Sequence, residues 1–393
     1  MLSIYLNKKL KSLAWWKWIF IIDLVFISIT TLAKYNPHLP VLHYFNLGLE
    51  MNFAAWWSSM SLLLTAALSY ELFCSQKNGI KNAWLVISFI LCALSWDELG
   101  SLHERAFQGS WFNYIPYGLV GISLTIYALI KLFSQPNTRK SAFLIVIAFI
   151  LFASVALQEY IEHAVEWSDW LVGIRVGVEE GTELLAILFY LLAIMLQRTK
   201  QHKTNNILTL LPNFQTIKHL NLILLIGVII HSATSLYLPQ ISDLYLKGNP
   251  AICYPSVVFF ILFLHGTDQY CKSSENQRKI WLLLAVNFLL FSAFICAQAP
   301  NGSFTKFYLL YGIQLFLMPL FYVKLNQFKL DLHIVILAYL PFLLLLSSLV
   351  GGLVAPFLIS GIFTYLVAQI FLFNHSLAPL ETNIEKHLSK LRT

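Results

Sequence analysis

Charge is what this chain has least of. Only 11% of its 393 residues are Asp, Glu, Lys or Arg, and its mean hydropathy is +0.69. A soluble domain carries about 25% charged residues, so the composition excludes an ordinary soluble protein. The net charge of +7 does not point to nucleic acid. It fits Lys and Arg retained on one side of a bilayer. Cysteine is scarce too. Cys74, Cys92, Cys253, Cys271 and Cys296 show no CxxC spacing, which excludes a disulfide framework. They read as core or lipid-facing residues. No cleavable signal peptide is evident, because the first apolar segment is too long and lacks a small-residue cleavage site.

What the chain does have is long apolar runs. The reading is an all-α polytopic transmembrane bundle of about twelve spans of ~20 residues each. The first six cover about 13–33, 54–73, 83–104, 112–133, 141–164 and 175–197. The second six cover about 219–238, 253–270, 280–299, 305–323, 333–349 and 352–373. Eleven spans is the competing count, since the last two meet near Gly351 and Gly352. With the N-terminus inside, 21 Lys and Arg fall in cytoplasmic segments and 5 outside. That asymmetry puts both termini in the cytoplasm. The expected organisation is a six-span bundle over 1–200, a polar linker over 201–218, a second six-span bundle over 219–375 and a tail over 376–393. In the tail, Leu380, Ile384, Leu388 and Leu391 lie at helical spacing, as in an amphipathic helix on an anionic leaflet. The halves match in span lengths, but their sequences do not align convincingly. The second is either a diverged repeat or additional bundle.

The charges that remain are concentrated. Ten of 19 acidic residues lie between Asp97 and Glu183. All but Asp169 form three groups: Asp97, Glu98 and Glu104 with His103; Glu159, Glu162 and Glu166 with His163; and Glu179, Glu180 and Glu183. The topology places all three at the outer ends of spans 3, 5 and 6. At about 100° per residue, Glu159, Glu162, His163 and Glu166 share a face, as do Glu179, Glu180 and Glu183. On span 3, Asp97, Ser101 and Glu104 share a face, from which Glu98 and His103 diverge unless Gly100 bends the helix.

Ionisable groups near hydrocarbon are costly and mark functional sites by default. Three packed acidic faces repel unless protons, cations or a metal neutralise them. Carboxylates with two histidines suit zinc, iron or manganese. The expected divalent-metal ligands are Asp97, His103, Glu159, His163, Glu180 and Glu183, with Glu98 and Glu162 as catalytic carboxylates. His103 and His163 should then come within about 4–7 Å of each other across one shared centre. The Glu-x-x-His spacing of di-iron bundles is missing; Glu159 and His163 are four apart. Two further readings stay open: a proton or cation relay, and solvated helix ends, with Glu179 and Glu180 favoured by the start of a helix. Asp23, midway along span 1, is either a bundle-interior hydrogen-bond acceptor or part of a relay. His43 and Glu50 lie on one face of the outer segment that follows span 1.

The spelling Trp96-Asp97-Glu98-x-x-Ser101-x-His103-Glu104, with Glu179-Glu180-x-x-Glu183 later and Trp56-Trp57-Ser58-Ser59 upstream, resembles a set of uncharacterised bacterial multipass membrane proteins. That resemblance implies a bacterial inner-membrane location and brings no activity. Alkaline ceramidase-like hydrolases carry a His-x-x-x-His pair that this chain lacks. Major facilitator transporters carry a basic, glycine-rich loop after span 2; here it reads Ser75-Gln76-Lys77-Asn78-Gly79-Ile80-Lys81. The expectation is a membrane metal-dependent enzyme, a hydrolase or oxidoreductase, acting on a lipid or small apolar substrate. The alternatives are a proton- or cation-coupled secondary transporter and a non-catalytic membrane subunit or sensor. Membrane lipids are the expected partners.

Overall fold

The computed structural model describes residues 15–36, 38, 39, 42, 45–48, 52–76, 79–100 and 111–202, with scattered positions between 212 and 292. It divides into two compact units, one built mainly from Met1–Ile217 and the other from Lys218–Asp243, Pro250–Ser292 and Asn301–Thr393. Helix is the regular structure throughout the described residues. Among the described residues of the first unit the helices are α1 (Trp15–Tyr35), α2 (Phe53–Ser75), α3 (Lys81–Gly100), α4 (Trp111–Phe133), α5 (Arg139–Ala164) and α6 (Asp169–His202). Each falls on one of the first six apolar segments. α6 starts earlier than its apolar run, at Asp169, because Leu171 N–H already bonds Ser168 O at 2.8 Å.

Two helices, Trp16–Tyr35 and Arg139–Ile161, are long and apolar enough to cross a membrane. Their outward faces are apolar: Val25 and Leu32 on α1, and Phe143, Ile150 and Leu157 on α5, are exposed, as are Leu119, Val120 and Ile130 on α4.

α2 is buried around most of its circumference and is largely apolar, as a buried helix is. Ala54, Trp56, Met60, Leu62, Ala66, Leu68 and Leu72 are all buried. Its start is set by Asn52, whose Oδ1 accepts from the N–H groups of Ala54 and Ala55 at 2.8 and 2.9 Å. Such a cap is worth about 1 kcal/mol. α2 and α3 run antiparallel and are stitched at three levels by serines. Ser59 and Ser95 each donate to the other's carbonyl, at 2.7 and 2.9 Å. Ser88 donates to Ala66 O at 2.8 Å, and Ser69 donates to Trp84 O at 2.8 Å. Small hydroxylated residues let two backbones approach closely and satisfy their own polarity across the seam.

α6 packs on α1, α2 and α5, while α4 packs on α3 and α5. Gly173, Gly177 and Gly181 recur every four residues, so they form one stripe on α6. Tyr35, Thr31 and Ile27 of α1 sit directly over them. Tyr35 Oη also donates to Trp170 O. Far along α6, Arg198 Nη2 meets Glu71 Oε1 of α2 at 2.7 Å, with both side chains almost wholly buried. Truncating one partner of such a pair costs about 3–5 kcal/mol, because the other charge is left without compensation. The α4–α5 turn is closed by Thr138 Oγ1, which donates to Leu132 O and to Gln135 O. Lys200 Nζ reaches Asn137 O of that turn at 2.5 Å.

In the second unit, Ser256 and Ser292 are buried. Each donates its hydroxyl to the other's carbonyl at 2.6 Å.

Candidate functional site: carboxylates gathered on helix α2

Three consecutive residues of α2 reach in three directions. Trp57 Nε1 donates to Asp23 Oδ1 of α1 at 2.9 Å. Ser58 Oγ donates to Glu98 Oε1 of α3 at 2.5 Å. Ser59 forms the clasp with Ser95. Successive helical residues diverge by about 100°, so one turn of α2 can address both neighbours. The result is a polar belt across α1, α2 and α3 at the end of the unit where α3 finishes. Asp23 is buried, and Asp97 and Glu98 are partly buried.

An aromatic cluster packs beside the belt. Trp57 stacks on Phe26 with ring centroids 6.1 Å apart. Phe45 and Phe53 join at 5.4 Å, and Phe53 meets Trp56 at 5.3 Å. The segment between α1 and α2 is held down onto it. Thr30 Oγ1 accepts from Leu47 N–H at 2.8 Å, Asn46 Oδ1 accepts from Gly48 N–H at 3.2 Å, and Asn52 Nδ2 donates to Asn46 O. Gly48 then rests on α6: a methyl placed on it would lie 2.7 Å from Val176 Cγ1 and 3.6 Å from Glu180 Oε1. Only glycine allows this closeness, which brings loop backbone beside the Glu180 carboxylate.

The residues expected from the sequence fall as follows. Glu98 is oriented by Ser58, and its neighbour Asp97 lies on the same terminal turn of α3. Glu180 and Glu183 lie on α6, both partly buried, with Glu180 under the Gly48 loop. Glu179 pairs with Arg175 at 3.8 Å, and the Arg175 guanidinium lies 5.9 Å from the Trp167 ring centroid. Glu159 is partly buried on α5. His103, and the side chains of Glu162 and His163, lie outside the described residues, as do His43 and Glu50. The expected approach of the two imidazoles therefore falls there too. Among the described residues no three His, Cys, Asp or Glu side chains gather closely enough to hold a metal ion. The extensive contacts of α3 are with α2 and α4, and those of α6 are with α1, α2 and α5. Ser58 of α2 thus borders the acidic end of α3, while Glu180 of α6 borders the Gly48 loop.

Residues 18–196 match the family model described as a domain of unknown function, DUF8692. The match spans Asp23, Trp57, Ser58, Glu98, Glu180 and Glu183, and it stops short of Arg198. Comparison with curated proteins and with solved structures gives no match.

Glu98 has the geometry of an anchored carboxylate. A hydroxyl donor engages one oxygen and so sets the direction in which the carboxylate is presented. Such a group fits a divalent ion as one ligand. Asp23 takes its hydrogen bond from an indole, a neutral donor. In the sequence, Trp57, Ser58 and Ser59 stand out only through the resemblance that their spelling carries. Their run of two tryptophans and two serines opposite an Asp-Glu pair was the available signal.

Proposed function

We propose that the chain is a bacterial inner-membrane protein of about twelve spans whose first half carries a carboxylate and histidine site near the outer leaflet. The reading is of a metal-dependent enzyme acting on a lipid or small apolar substrate. The observation that carries it is the Ser58–Glu98 pair beside Asp97: a partly buried carboxylate held in one orientation by a designated donor. The exposed apolar faces of α1, α4 and α5 support burial in lipid. Lys131, Arg139, Lys140 and Lys200 cluster at the opposite end, as expected of a cytoplasmic face. An open groove of about 510 Å³ there, with Phe133, Phe143, Leu144 and Leu196 below Arg139 and Lys140, supports contact with anionic lipid.

In this reading Asp97, His103, Glu159, His163, Glu180 and Glu183 hold the ion, and Glu98 and Glu162 move protons. The bound ion would supply Lewis acidity and make an adjacent water acidic near neutral pH. Ser58 holds Glu98 in one orientation, as a group that moves protons must be held. The aromatic cluster on Phe26 and Phe53 offers apolar contacts to a hydrocarbon chain and keeps water from Asp23. Elemental analysis of purified protein tests the proposal. About one or two divalent ions per chain are expected, falling sharply in Asp97→Asn. Ion content indistinguishable from that of an unrelated membrane protein would defeat it.

A second reading, a cation- or proton-coupled transporter, is favoured by one observation. Charged groups continue along the bundle, from Glu98 through Asp23 to the buried Glu71–Arg198 pair. Flux in proteoliposomes without substrate turnover would decide for it.

A further inference from the structure

We infer that the chain is built from two copies of one helical scaffold, related by a constant shift of 197 positions, and that the carboxylate site belongs to the first copy alone.

Two observations converge. The first is the serine clasp. In each unit two buried serines donate reciprocally to each other's carbonyls, and in each the partners are 36 residues apart. Ser59 and Ser256 differ by 197, and so do Ser95 and Ser292. A reciprocal clasp requires two close antiparallel helices in one register, so its recurrence fixes both the spacing and the face. The second observation is the burial pattern between the clasp residues, which agrees at most positions described in both units and differs at Leu64 and Ile261, Ala66 and Phe263, and Glu71 and Asp268. At the shift of 197, Met60 and Val257, Leu63 and Phe260, Ala67 and Leu264, Ser69 and Gly266, and Ser88 and Ala285 are buried in both units. Lys81 and Arg278, Leu85 and Leu282, and Phe89 and Val286 are exposed in both. The tight seam recurs as well. Ser88 bonds across it to Ala66 in the first unit, while a methyl on Gly266 would lie 3.2 Å from Ala285 Cβ in the second.

With the register set, the sequence falls into line without a gap. Ala54, Ser59, Cys74, Trp84, Leu85 and Ser95 meet Ala251, Ser256, Cys271, Trp281, Leu282 and Ser292. Trp57 meets Tyr254, Phe73 meets Tyr270, and Glu71 meets Asp268. Identity is sparse because the clasp and the outward face hold the register, while buried positions can exchange size, as at Ala67 and Leu264. The acidic belt is what the second copy has not kept. Ser58, Asp97 and Glu98 meet Pro255, Phe294 and Ile295. Proline has no hydroxyl to orient a carboxylate, and neither Phe nor Ile can supply one. The second copy is therefore a scaffold partner with no equivalent outer site, while Asp268 stands where the first copy has its ion-paired Glu71. The family match, ending at residue 196, covers one copy.

The test is a helix-pair exchange in the full chain. In one chimera, residues 53–95 replace residues 250–292; in the other, residues 54–96 replace the same segment. The inserts have the same length and nearly the same composition, and differ by one residue of register. Duplication at a shift of 197 has the first chimera eluting as a single species in detergent, with a melting midpoint near the parent's, and the second aggregated or strongly destabilised. In a cysteine-free background, Ser256→Cys with Ser292→Cys should form a disulfide readily, and Val257→Cys with Ser292→Cys should not. Two chimeras that behave alike, whether both fold or both fail, overturn the inference, as does equal cross-linking of the two cysteine pairs.

Discussion

Gly177→Ala probes how α1, and with it Asp23, is held against α6. A methyl at this position would lie 2.3 Å from Thr31 Oγ1, with Thr31 Cβ at 3.7 Å and Ile27 Cγ2 at 3.8 Å. Only the hydroxyl oxygen is in the way. It cannot swing aside freely, because it donates to Ile27 O at 3.0 Å. Either the helices separate or Thr31 gives up that bond. Overpacking of this kind costs about 1–3 kcal/mol, against about 1 kcal/mol that Ala regains over Gly in a helix. Thr31→Ala removes the obstructing atom and leaves ordinary contacts at 3.7 and 3.8 Å. On that background Gly177→Ala should be neutral or stabilising by up to about 1 kcal/mol. A four-member cycle of reversible unfolding in detergent should give a coupling energy of about 1–3 kcal/mol. Additivity within about 0.5 kcal/mol would refute the packing argument. Gly181→Ala is the internal comparison: its methyl meets the flexible tip of Ile27 at 3.1 Å, so its penalty should be smaller.

Breaking the buried pair by Glu71→Gln or Arg198→Met should each destabilise by about 3–5 kcal/mol, and the double change Glu71→Leu with Arg198→Met should recover most of that loss; equal losses in all three variants would mean the pair is uncoupled. Ser58→Ala removes the donor to Glu98, a bond to a charged group worth about 1.5–3 kcal/mol. The loss should appear as lower stability in reversible unfolding in detergent, while Ser58→Thr keeps most of it; a Ser58→Ala variant as stable as the parent would mean that the bond contributes nothing. His163→Ala should strip bound metal while the protein still inserts and elutes as the parent does; unchanged metal content would remove His163 from the ligand set. A reporter fused after Lys203 should be active only in its cytoplasmic form, and one after Asn113 only in its periplasmic form. A periplasmic signal at 203 would separate the acidic clusters from the outer face.

The helices of the first half are legible from residue type alone. The run from Phe53 to Ser75 contains one charged residue, Glu71, and no proline or glycine, so nothing interrupts its backbone hydrogen bonds. Asn52 announces its start by a local rule, because a cap bonds N–H groups two and three residues on. The candidate carboxylates are legible as well, since ten acids within a charge-poor chain stand out whatever their partners are. The register between copies is not. Substitutions such as Ser69 for Gly266, or Ala67 for Leu264, look arbitrary until a shared burial pattern sets the frame.

By itself, then, the sequence determines that the described elements are helical, where the first six begin and end within a few residues, and which stretch concentrates charge. These properties are local or compositional, and each residue contributes to them without reference to a distant one. Tertiary structure alone decides that Ser58 serves Glu98, 40 residues away, that Trp57 serves Asp23 at a distance of 34, and that Arg198 meets Glu71 across 127. It also decides that the glycines of α6 face α1. Serine and glycine are nearly silent in a hydropathy pattern, and their worth lies in how closely another backbone comes to them. That closeness is set by packing between helices far apart in the chain.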